Sequence, residues 1–163
     1  MKLQNRITGD QVMLKIKHYC AYQERSHNDV MGRLYEWGLF KREVDEIVAY
    51  LIGEGYLNEE RFAIQFAGGK FRIKQWGKKK IEQALKGKQV SSYCIKKALA
   101  QLDDEDYRKT LSRLSDAKWK QLKGEKNRLI KMKKLQDFLL QKGYEYELVK
   151  LEVTEVVRQE KEN

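Results

Sequence analysis

The chain has 163 residues, of which 36% are charged and 41% hydrophobic, and its formal net charge is +10 at pH 7. This length allows one domain or two small ones, and the regularly spaced apolar residues exclude a disordered chain. No apolar stretch approaches the length of about 18 residues that a membrane-spanning helix needs, and no cationic and apolar leader follows Met1, which predicts a cytoplasmic protein that does not engage a membrane.

The lack of proline predicts nearly uninterrupted helix. At the usual frequency of about 5%, a chain of this length would hold roughly eight prolines, and this one has none. Asp10 can cap the first predicted helix, which runs to about Glu24 with an apolar stripe that includes Ile16. This helix precedes the repeating part of the chain.

The next three predicted helices form one unit. Ser26 and Asp29 make a loose capping box for a helix that Gly38 closes. A second helix covers about residues 43–53, and Asn58 caps the third, which carries acidic residues in its first turn. Each unit is therefore expected to contain three helices.

The second half of the chain continues in the same pattern of capped, amphipathic helices. Their predicted bounds are residues 79–86, 91–101, 103–123, 125–142 and 145–158. Nothing follows to supply a last helix for the third unit, which is therefore expected to be truncated. Residues 159–163 are charged and are predicted to fray.

The apolar positions of these units repeat along the chain. A shift of 51 residues places Val30, Leu34, Leu39, Val44 and Leu51 on Ile81, Leu85, Val90, Ile95 and Leu102. A further shift of 54 residues places Ile81, Leu85, Val90 and Ile95 on Leu135, Leu139, Tyr144 and Val149. A period near 50 residues is typical of stacked supersecondary modules. The sequence therefore predicts an all-α chain of three tandem three-helix units.

The repeat also predicts a division of the chain. We expect an N-terminal helix and three units, over residues 1–24, 25–74, 75–124 and 125–163. Gly38 and Gly143 each lie four residues after an aligned leucine, where a left-handed residue would close a helix. The middle unit has Gln89 at this place and Gly87 two positions earlier.

The positive charge is concentrated in two blocks. Residues 66–97 hold ten Lys or Arg against Glu82, a net of +9, and residues 117–142 hold nine against two acidic residues, a net of +7. Such blocks predict a partner with a negative surface, most simply nucleic acid or a nucleoprotein. For the single run Lys78-Lys79-Lys80, a solvated helix face explains the charge equally well.

Within the first block, residues 66–80 alternate cations with aromatic rings, as a surface that follows a nucleic-acid strand would. The rings of Phe66, Phe71 and Trp76 are better explained as core residues at helical spacing. The cations are better explained as a contact face, which comprises Lys70, Arg72, Lys74, Lys78, Lys79 and Lys80. A helix-turn-helix interpretation, with residues 91–101 in a DNA groove, lacks the Arg or Asn that reads base edges.

No catalytic, metal or cofactor motif is recognisable. His18, Cys20 and His27 match no zinc template, and Gly68-Gly69-Lys70 lacks the other residues of a phosphate-binding loop, so we interpret it as a break or a tight packing point within a helix. Cys20 and Cys94 are predicted to be reduced core thiols. The sequence therefore predicts a protein that is not an enzyme and needs no cofactor.

Three ordered motifs carry a resemblance to a known family. They are Tyr19-Cys20-Ala21-Tyr22-Gln23-Glu24-Arg25-Ser26, then Gly55-Tyr56-Leu57-Asn58-Glu59-Glu60-Arg61-Phe62-Ala63, then Trp76-Gly77 with Ile81 and Leu85. In this order and spacing they make the chain resemble the RecX family of recombination regulators. The resemblance is strongest over residues 12–105 and extends further by the repeat register.

The resemblance implies an elongated, curved array of three tandem three-helix repeats of helix-turn-helix-like form. It also implies a protein that binds RecA, chiefly as the filament on single-stranded DNA, and lodges in the filament groove. There it would restrain ATP hydrolysis, strand exchange and co-protease activity, in recombination, DNA repair and the SOS response. We expect a monomer that binds DNA directly only weakly.

Several motif positions are carried over from the resemblance. Tyr22, Arg25 and Arg61 become candidates that face the partner or DNA, although Arg61 has a structural alternative as the partner of a neighbouring carboxylate. Structural roles are expected for Ser26 as a cap and Gly77 as a helix entry. The other two structural motif residues are Gly38 and Asn58.

The sequence departs from the family pattern at three positions. Asp29 stands where glutamate is usual, Asn58 stands where aspartate is usual, and Gln89 replaces a glycine, so the bend of the second repeat depends on a glutamine. Two other functions remain open at this point. One is an autonomous basic DNA-binding protein of helix-turn-helix type, and the other is a purely structural scaffold, which explains the charge blocks poorly.

Overall fold

Residues 9–163 are described by the computed structural model, and every regular element within them is a helix. The helices are α1 (Gly9–Tyr22), α2 (His27–Glu36), α3 (Lys41–Gly53), α4 (Glu59–Lys74), α5 (Lys78–Gly87), α6 (Ser92–Ala100), α7 (Asp104–Gln121), α8 (Arg128–Lys142) and α9 (Tyr146–Glu162). The predicted all-α class is confirmed. The prediction about a leader at Met1, and the first eight positions of the predicted 1–24 element, lie outside the described residues.

Side-chain caps begin several helices at the predicted places. Ser26 Oγ accepts a hydrogen bond from the Asp29 N–H at 3.0 Å, and the Asp29 carboxylate accepts one from the Ser26 N–H at 3.1 Å, which completes the capping box of α2. Asn58 Oδ1 accepts the Arg61 N–H at 2.9 Å and caps α4. Asp10 instead lies within the first turn of α1 and not before it.

Contacts divide the chain into two compact units. Unit 1 comprises the described residues through Phe66 together with Leu85–Ala98. In it, Lys88 Nζ lies 3.2 Å from Asp29 Oδ1. Burial raises the pKa of Asp29, but hydrogen bonds from Ser26 and Lys88 outweigh burial and hold that pKa below its usual range. Helices α1, α2 and α3 share one core, which consists of Val12, Ile16, Cys20, Val30, Leu34, Leu39, Val44, Leu51 and Leu57.

Unit 2 comprises Ala67–Ala84 and Leu99–Asn163. Its helices α7, α8 and α9 pack against one another. The last residues, for which fraying is predicted, are helical, because α9 continues to Glu162. Arg158 Nη1 donates to Glu162 Oε1 at 2.6 Å, and Trp119 Nε1 of α7 donates to Glu160 Oε2 at 2.6 Å, so both an ion pair and a contact to α7 hold the last turn.

The repeat appears in the packing as well as in the sequence. Every apolar position that the shifts of 51 and 54 residues align is buried. A repeat sets the length of a unit but not the helix at which the unit begins. The packing places α1 with α2 and α3, whereas the predicted division places α1 before the first unit. The boundaries after residues 24, 74 and 124 remain a prediction.

Left-handed residues close a helix at the three equivalent positions. The backbone φ angle is +85° at Gly38, +100° at Gly143 and +61° at Gln89. Gln89 therefore adopts the same left-handed turn as the glycines of the other two units. It does so at a steric cost, because the Cβ of an L-residue crowds the backbone in this conformation.

We expect Gln89→Gly to raise the free energy of unfolding by about 0.5–1 kcal/mol, because glycine adopts positive φ without that steric cost. Urea unfolding followed by circular dichroism measures the change. Gln83→Gly is the matched control inside α5 and should lower the free energy of unfolding by about 1 kcal/mol. Equal destabilisation by the two substitutions would contradict the steric explanation.

Candidate functional site

The Lys78-Lys79-Lys80 run does not form one surface. Successive residues of a helix point about 100° apart. Lys78 Nζ lies 4.9 Å from the centre of the Tyr107 ring and 3.8 Å from Asp104 Oδ1, both in unit 2. Lys80 is half-buried against another ring, and Lys79 is exposed. Of the three lysines, Lys79 is therefore the one best placed to meet a partner.

Trp76 is held between two lysines. Lys70 Nζ lies 4.9 Å and Lys80 Nζ 4.7 Å from the centre of its ring, within the range of a cation–π contact. The ring itself is half-buried, as is that of Phe66, whereas Phe71 is buried. The core interpretation therefore holds for Phe71, while Trp76 positions two cations near the surface.

Three cations line a cavity of about 300 Å³ in unit 2, which we call the basic groove: Arg72 of α4 and Lys109 and Arg113 of α7. Of the carboxylates in the described part of the chain, Asp106 alone lines this cavity. Lys109 contacts the nearby Glu105 at 2.9 Å. Among the described residues, neither arginine forms an ion pair with a carboxylate. Two guanidinium groups are therefore available to an anion.

The glycine pair of α4 lies within an uninterrupted helix. The predicted break at Gly68-Gly69-Lys70 is absent, since α4 is continuous from Glu59 to Lys74. A Cβ at Gly68 would lie 2.7 Å from Arg72 Nη1, the far end of an exposed and flexible side chain, so the alternative of a tight packing point stays a prediction. Lys74 is exposed at the end of the helix. Its role as a contact residue stays a prediction.

Gly77 lets two stretches of backbone approach closely. Its N–H donates to the Lys142 carbonyl at 2.8 Å, and the Lys79 N–H donates to the Gly143 carbonyl at 2.9 Å. A Cβ at Gly77 would lie 2.3 Å from the Gly143 carbonyl carbon and 2.4 Å from the Tyr144 nitrogen. This geometry supports a structural role for Gly77 at the entry to α5.

Tyr107 anchors the same helix start. Its buried hydroxyl accepts a hydrogen bond from the Lys78 N–H at 2.9 Å and donates one to Glu145 Oε1. The Tyr144 hydroxyl donates to the Gln75 carbonyl at 2.9 Å, and the two tyrosine rings lie 5.1 Å apart. Burial raises the pKa of both hydroxyls far above the usual range. Both therefore stay protonated and act as donors.

A second cavity, of about 470 Å³, lies in unit 1 beside the motif residues Tyr22 and Arg25, and we call it the α1 groove. The Arg25 guanidinium carbon lies 3.8 Å from the centre of the Tyr19 ring, and Arg25 Nε donates to the Tyr19 carbonyl at 3.0 Å. Tyr22 is 83% exposed. The other lining residues are Leu14, Lys15, His18, Arg33 and Trp37.

Arg61 is engaged within unit 1. Its Nε forms an ion pair with Glu24 Oε1, and its Nη2 donates to the Gly55 carbonyl at 3.1 Å. The ion pair ties the start of α4 to the segment after α1, and the bond to Gly55 ties it to the turn after α3. The geometry supports the structural alternative considered for Arg61, and a role in meeting a partner stays a prediction.

The sequence analysis named Arg72, Tyr22 and Arg25, which line the two grooves, but it missed most of their neighbours. Lys109 and Arg113 are four residues apart and so share one face of α7, a signal that was present in the sequence. Their position beside Arg72 depends on how α7 packs on α4, which no local pattern specifies.

Residues 9–163 include no group of three His, Cys, Asp or Glu side chains placed to hold a metal ion. Over the same range, no helix combines the length and the apolar character needed to cross a membrane. Cys20 and Cys94 are free and buried, and burial raises the pKa of Cys20. A buried thiol with a raised pKa is a poor nucleophile.

Comparison with known proteins relates the chain to one family. Residues 58–99, which contain α4, α5 and nearly all of α6, match the family model described as RecX, second three-helix domain. A protein named Regulatory protein RecX from Chlorobium limicola is 30% identical over 132 residues, which cover 80% of each chain. The match groups α4 with α5 and α6, whereas the predicted unit 75–124 groups α5 with α6 and α7.

Two further relatives carry the same name. The protein from Clostridium perfringens strain 13 is 30% identical over 124 residues, 76% of this chain and 58% of its own. That from Staphylococcus carnosus is 25% identical over 131 residues, 80% of this chain and 48% of its own. The chain thus spans about half the length of several curated relatives that it matches.

Solved structures support the fold. The crystal structure of RecX from Lactobacillus salivarius superposes with a TM-score of 0.81 at 20% identity and covers 90% of this chain and 95% of its own. A crystal structure of a regulatory protein RecX gives a TM-score of 0.76 at 21% identity and covers 86% of this chain and 71% of its own. At these identities, the likeness establishes the fold alone.

Proposed function

The chain belongs to the RecX family of regulatory proteins, and from that membership we propose that it regulates RecA. In this proposal the chain binds RecA both free and as the filament on single-stranded DNA, and it lodges in the filament groove. It restrains ATP hydrolysis, strand exchange and co-protease activity, and it acts as a cytoplasmic monomer without catalytic activity of its own.

The observation that carries this proposal is the similarity to the Chlorobium limicola protein, because it extends over 80% of both chains and not over a single helix pair. The charge distribution supports it. A net charge of +10 suits a partner that combines nucleic acid with protein. The two grooves also offer the chain more than one place of contact.

Binding to filaments provides the first test. A fluorescently labelled sample of the chain is titrated with RecA assembled on oligo-dT, and in parallel with the same oligo-dT alone. We expect tighter binding to the filament, and binding that persists at a salt concentration that abolishes binding to bare DNA. Equal affinity for the two would contradict the proposal.

The basic groove favours a second candidate function, autonomous binding of nucleic acid. Arg72 and Arg113 are exposed, and among the described residues they pair with no carboxylate. Arginine recognises phosphate through paired N–H groups. Binding through this groove predicts an affinity for bare DNA that depends strongly on salt, because each phosphate contact releases counterions.

The double substitution Arg72→Gln with Arg113→Gln tests this second candidate. If both arginines contact phosphates, the slope of log affinity against log salt for single-stranded DNA should fall by about 1.4, at roughly 0.7 for each contact. Arg42→Gln is the matched control, since Arg42 is exposed and lies 3.4 Å from Glu46. An unchanged slope in the double variant would exclude the basic groove as the DNA contact.

A further inference from the structure

The α1 groove combines exposed apolar side chains with a concave surface. Leu14 is 66% exposed and Tyr22 is 83% exposed, although both are large and apolar. Trp37 contributes a half-buried ring to the lining. Large apolar side chains gathered at one concave surface are typical of an interaction site, whereas single exposed ones are common everywhere.

The charged residues that line this groove all have one sign. Lys15, Arg25 and Arg33 contribute three cations, and no carboxylate of the described chain lines the cavity. Glu36 lies beyond the lining, 3.5 Å from Arg33, with its side chain 69% exposed. The groove therefore complements an anion that also presents apolar surface.

Both arginines are held in place by one ring. The guanidinium carbons of Arg25 and Arg33 lie 3.8 and 4.8 Å from the centre of the Tyr19 ring. Stacking engages the face of a guanidinium group and leaves N–H donors at its edge for a planar, bidentate acceptor such as a carboxylate. Less side-chain freedom is lost when a partner binds to arginines that are already positioned.

We propose that the α1 groove binds an acidic segment of a protein that carries one large apolar side chain. The apolar side chain packs on Leu14 and Trp37, and flanking carboxylates pair with Arg25 and Arg33. A nucleic-acid strand fits less well at Tyr19, because bases stack on open aromatic faces and two guanidinium groups already lie over this ring. Tyr22 keeps an exposed ring, but the exposed aliphatic side chain of Leu14 in the same lining suits an apolar side chain better than a base. This inference deepens the proposed function and rests on it for the identity of the partner.

Titration of the full, ¹⁵N-labelled chain tests the inference directly. The probe is an eight-residue peptide with one phenylalanine flanked by glutamates and aspartates. We expect its addition to shift the amide signals of residues that line the α1 groove. Replacing the phenylalanine with alanine, or the acidic residues with lysines, should weaken binding by about tenfold or more.

Two variants of the chain locate the contact. Leu14→Ser and Arg33→Gln should each weaken peptide binding by about fivefold to tenfold. Leu151→Ser is the matched control, since Leu151 is 68% exposed in unit 2, and it should leave binding unchanged. Peptide affinity that is unaltered by Leu14→Ser and Arg33→Gln would overturn the inference. The inference would also be overturned if oligo-dT shifted the amide signals of the α1 groove and the peptide did not.

Failure of this inference and failure of the proposed function give different results. A chain that binds the peptide but leaves the ATPase of RecA unchanged keeps the inference and overturns the proposed function. The opposite result overturns the inference alone. In that case the chain does not bind the peptide, and the wild type and the Leu14→Ser and Arg33→Gln variants all inhibit RecA equally well.

Discussion

Replacing Gly77 with alanine is expected to lower the free energy of unfolding by about 3 kcal/mol or more. The added Cβ would lie 2.3 Å from the Gly143 carbonyl carbon, and no flexible side chain is there to move aside. The two backbones must separate, which breaks the hydrogen bonds that Gly77 and Lys79 donate to the turn between α8 and α9. Urea unfolding monitored by circular dichroism measures the loss.

Gly69→Ala is the control for this substitution. Gly69 lies inside α4, and a Cβ there would have no neighbour within 4 Å. Alanine should therefore raise the free energy of unfolding by about 0.8–1 kcal/mol through helix propensity. Opposite signs for the two glycines are the expected result. A Gly77→Ala protein as stable as wild type would show that the close backbone approach contributes little.

Truncating Tyr107 is expected to have the other large effect. Tyr107→Ala should lower the free energy of unfolding by about 4 kcal/mol, because it removes a buried ring and leaves a cavity. The ring lies 5.8 Å from that of Phe71 and 5.1 Å from that of Tyr144. Tyr107→Phe keeps the ring and should lose about 1–2 kcal/mol for the hydroxyl that bridges Lys78 and Glu145.

Tyr93→Ala provides the comparison for Tyr107. Tyr93 is 63% exposed on α6, and its truncation should change the free energy of unfolding by less than about 0.5 kcal/mol. The same urea titrations rank the three variants. Equal losses for Tyr107→Ala and Tyr93→Ala would remove the argument that Tyr107 anchors the start of α5.

Local signals in the sequence predicted most of the helices. The capping box of Ser26 and Asp29 and the cap at Asn58 act over three residues, so their partners can be recognised without a fold. The aligned apolar positions predicted the buried side of each unit, because apolar residues at helical spacing mark the face that a helix buries. The left-handed backbone of Gln89 was harder to predict, because the repeat imposes this conformation and glutamine has no preference for it.

Features that depend on distant contacts were not predictable. Residues 159–163 look like a frayed end in sequence, and the contact between Trp119 and Glu160 that holds them spans 41 positions. The ion pair between Arg61 and Glu24 spans 37 positions. A repeat also specifies a period without a starting point, so it could not tell that α1 shares the core of α2 and α3.

The candidate surfaces also combine residues that local sequence patterns indicate with neighbours that only the packing of distant helices supplies. Arg72 was recognised within a basic and aromatic segment, but the groove it forms with Lys109 and Arg113 requires the packing of α7. The Lys78-Lys79-Lys80 run looked like one patch, although helix geometry and the ring of Tyr107 separate its members. The proposed identity of the partner rests on ordered motifs and family membership, and not on the geometry of either groove.

The measurement that tests regulation of RecA most directly is ATP hydrolysis by RecA on single-stranded DNA, titrated with this chain at two salt concentrations. We expect inhibition at both. Inhibition well below one chain per RecA subunit would indicate action at filament ends or at few sites, and inhibition near stoichiometry would indicate coating of the groove. An unchanged rate, together with binding to bare DNA that disappears at the higher salt, would contradict the proposed function and favour an autonomous nucleic-acid binder.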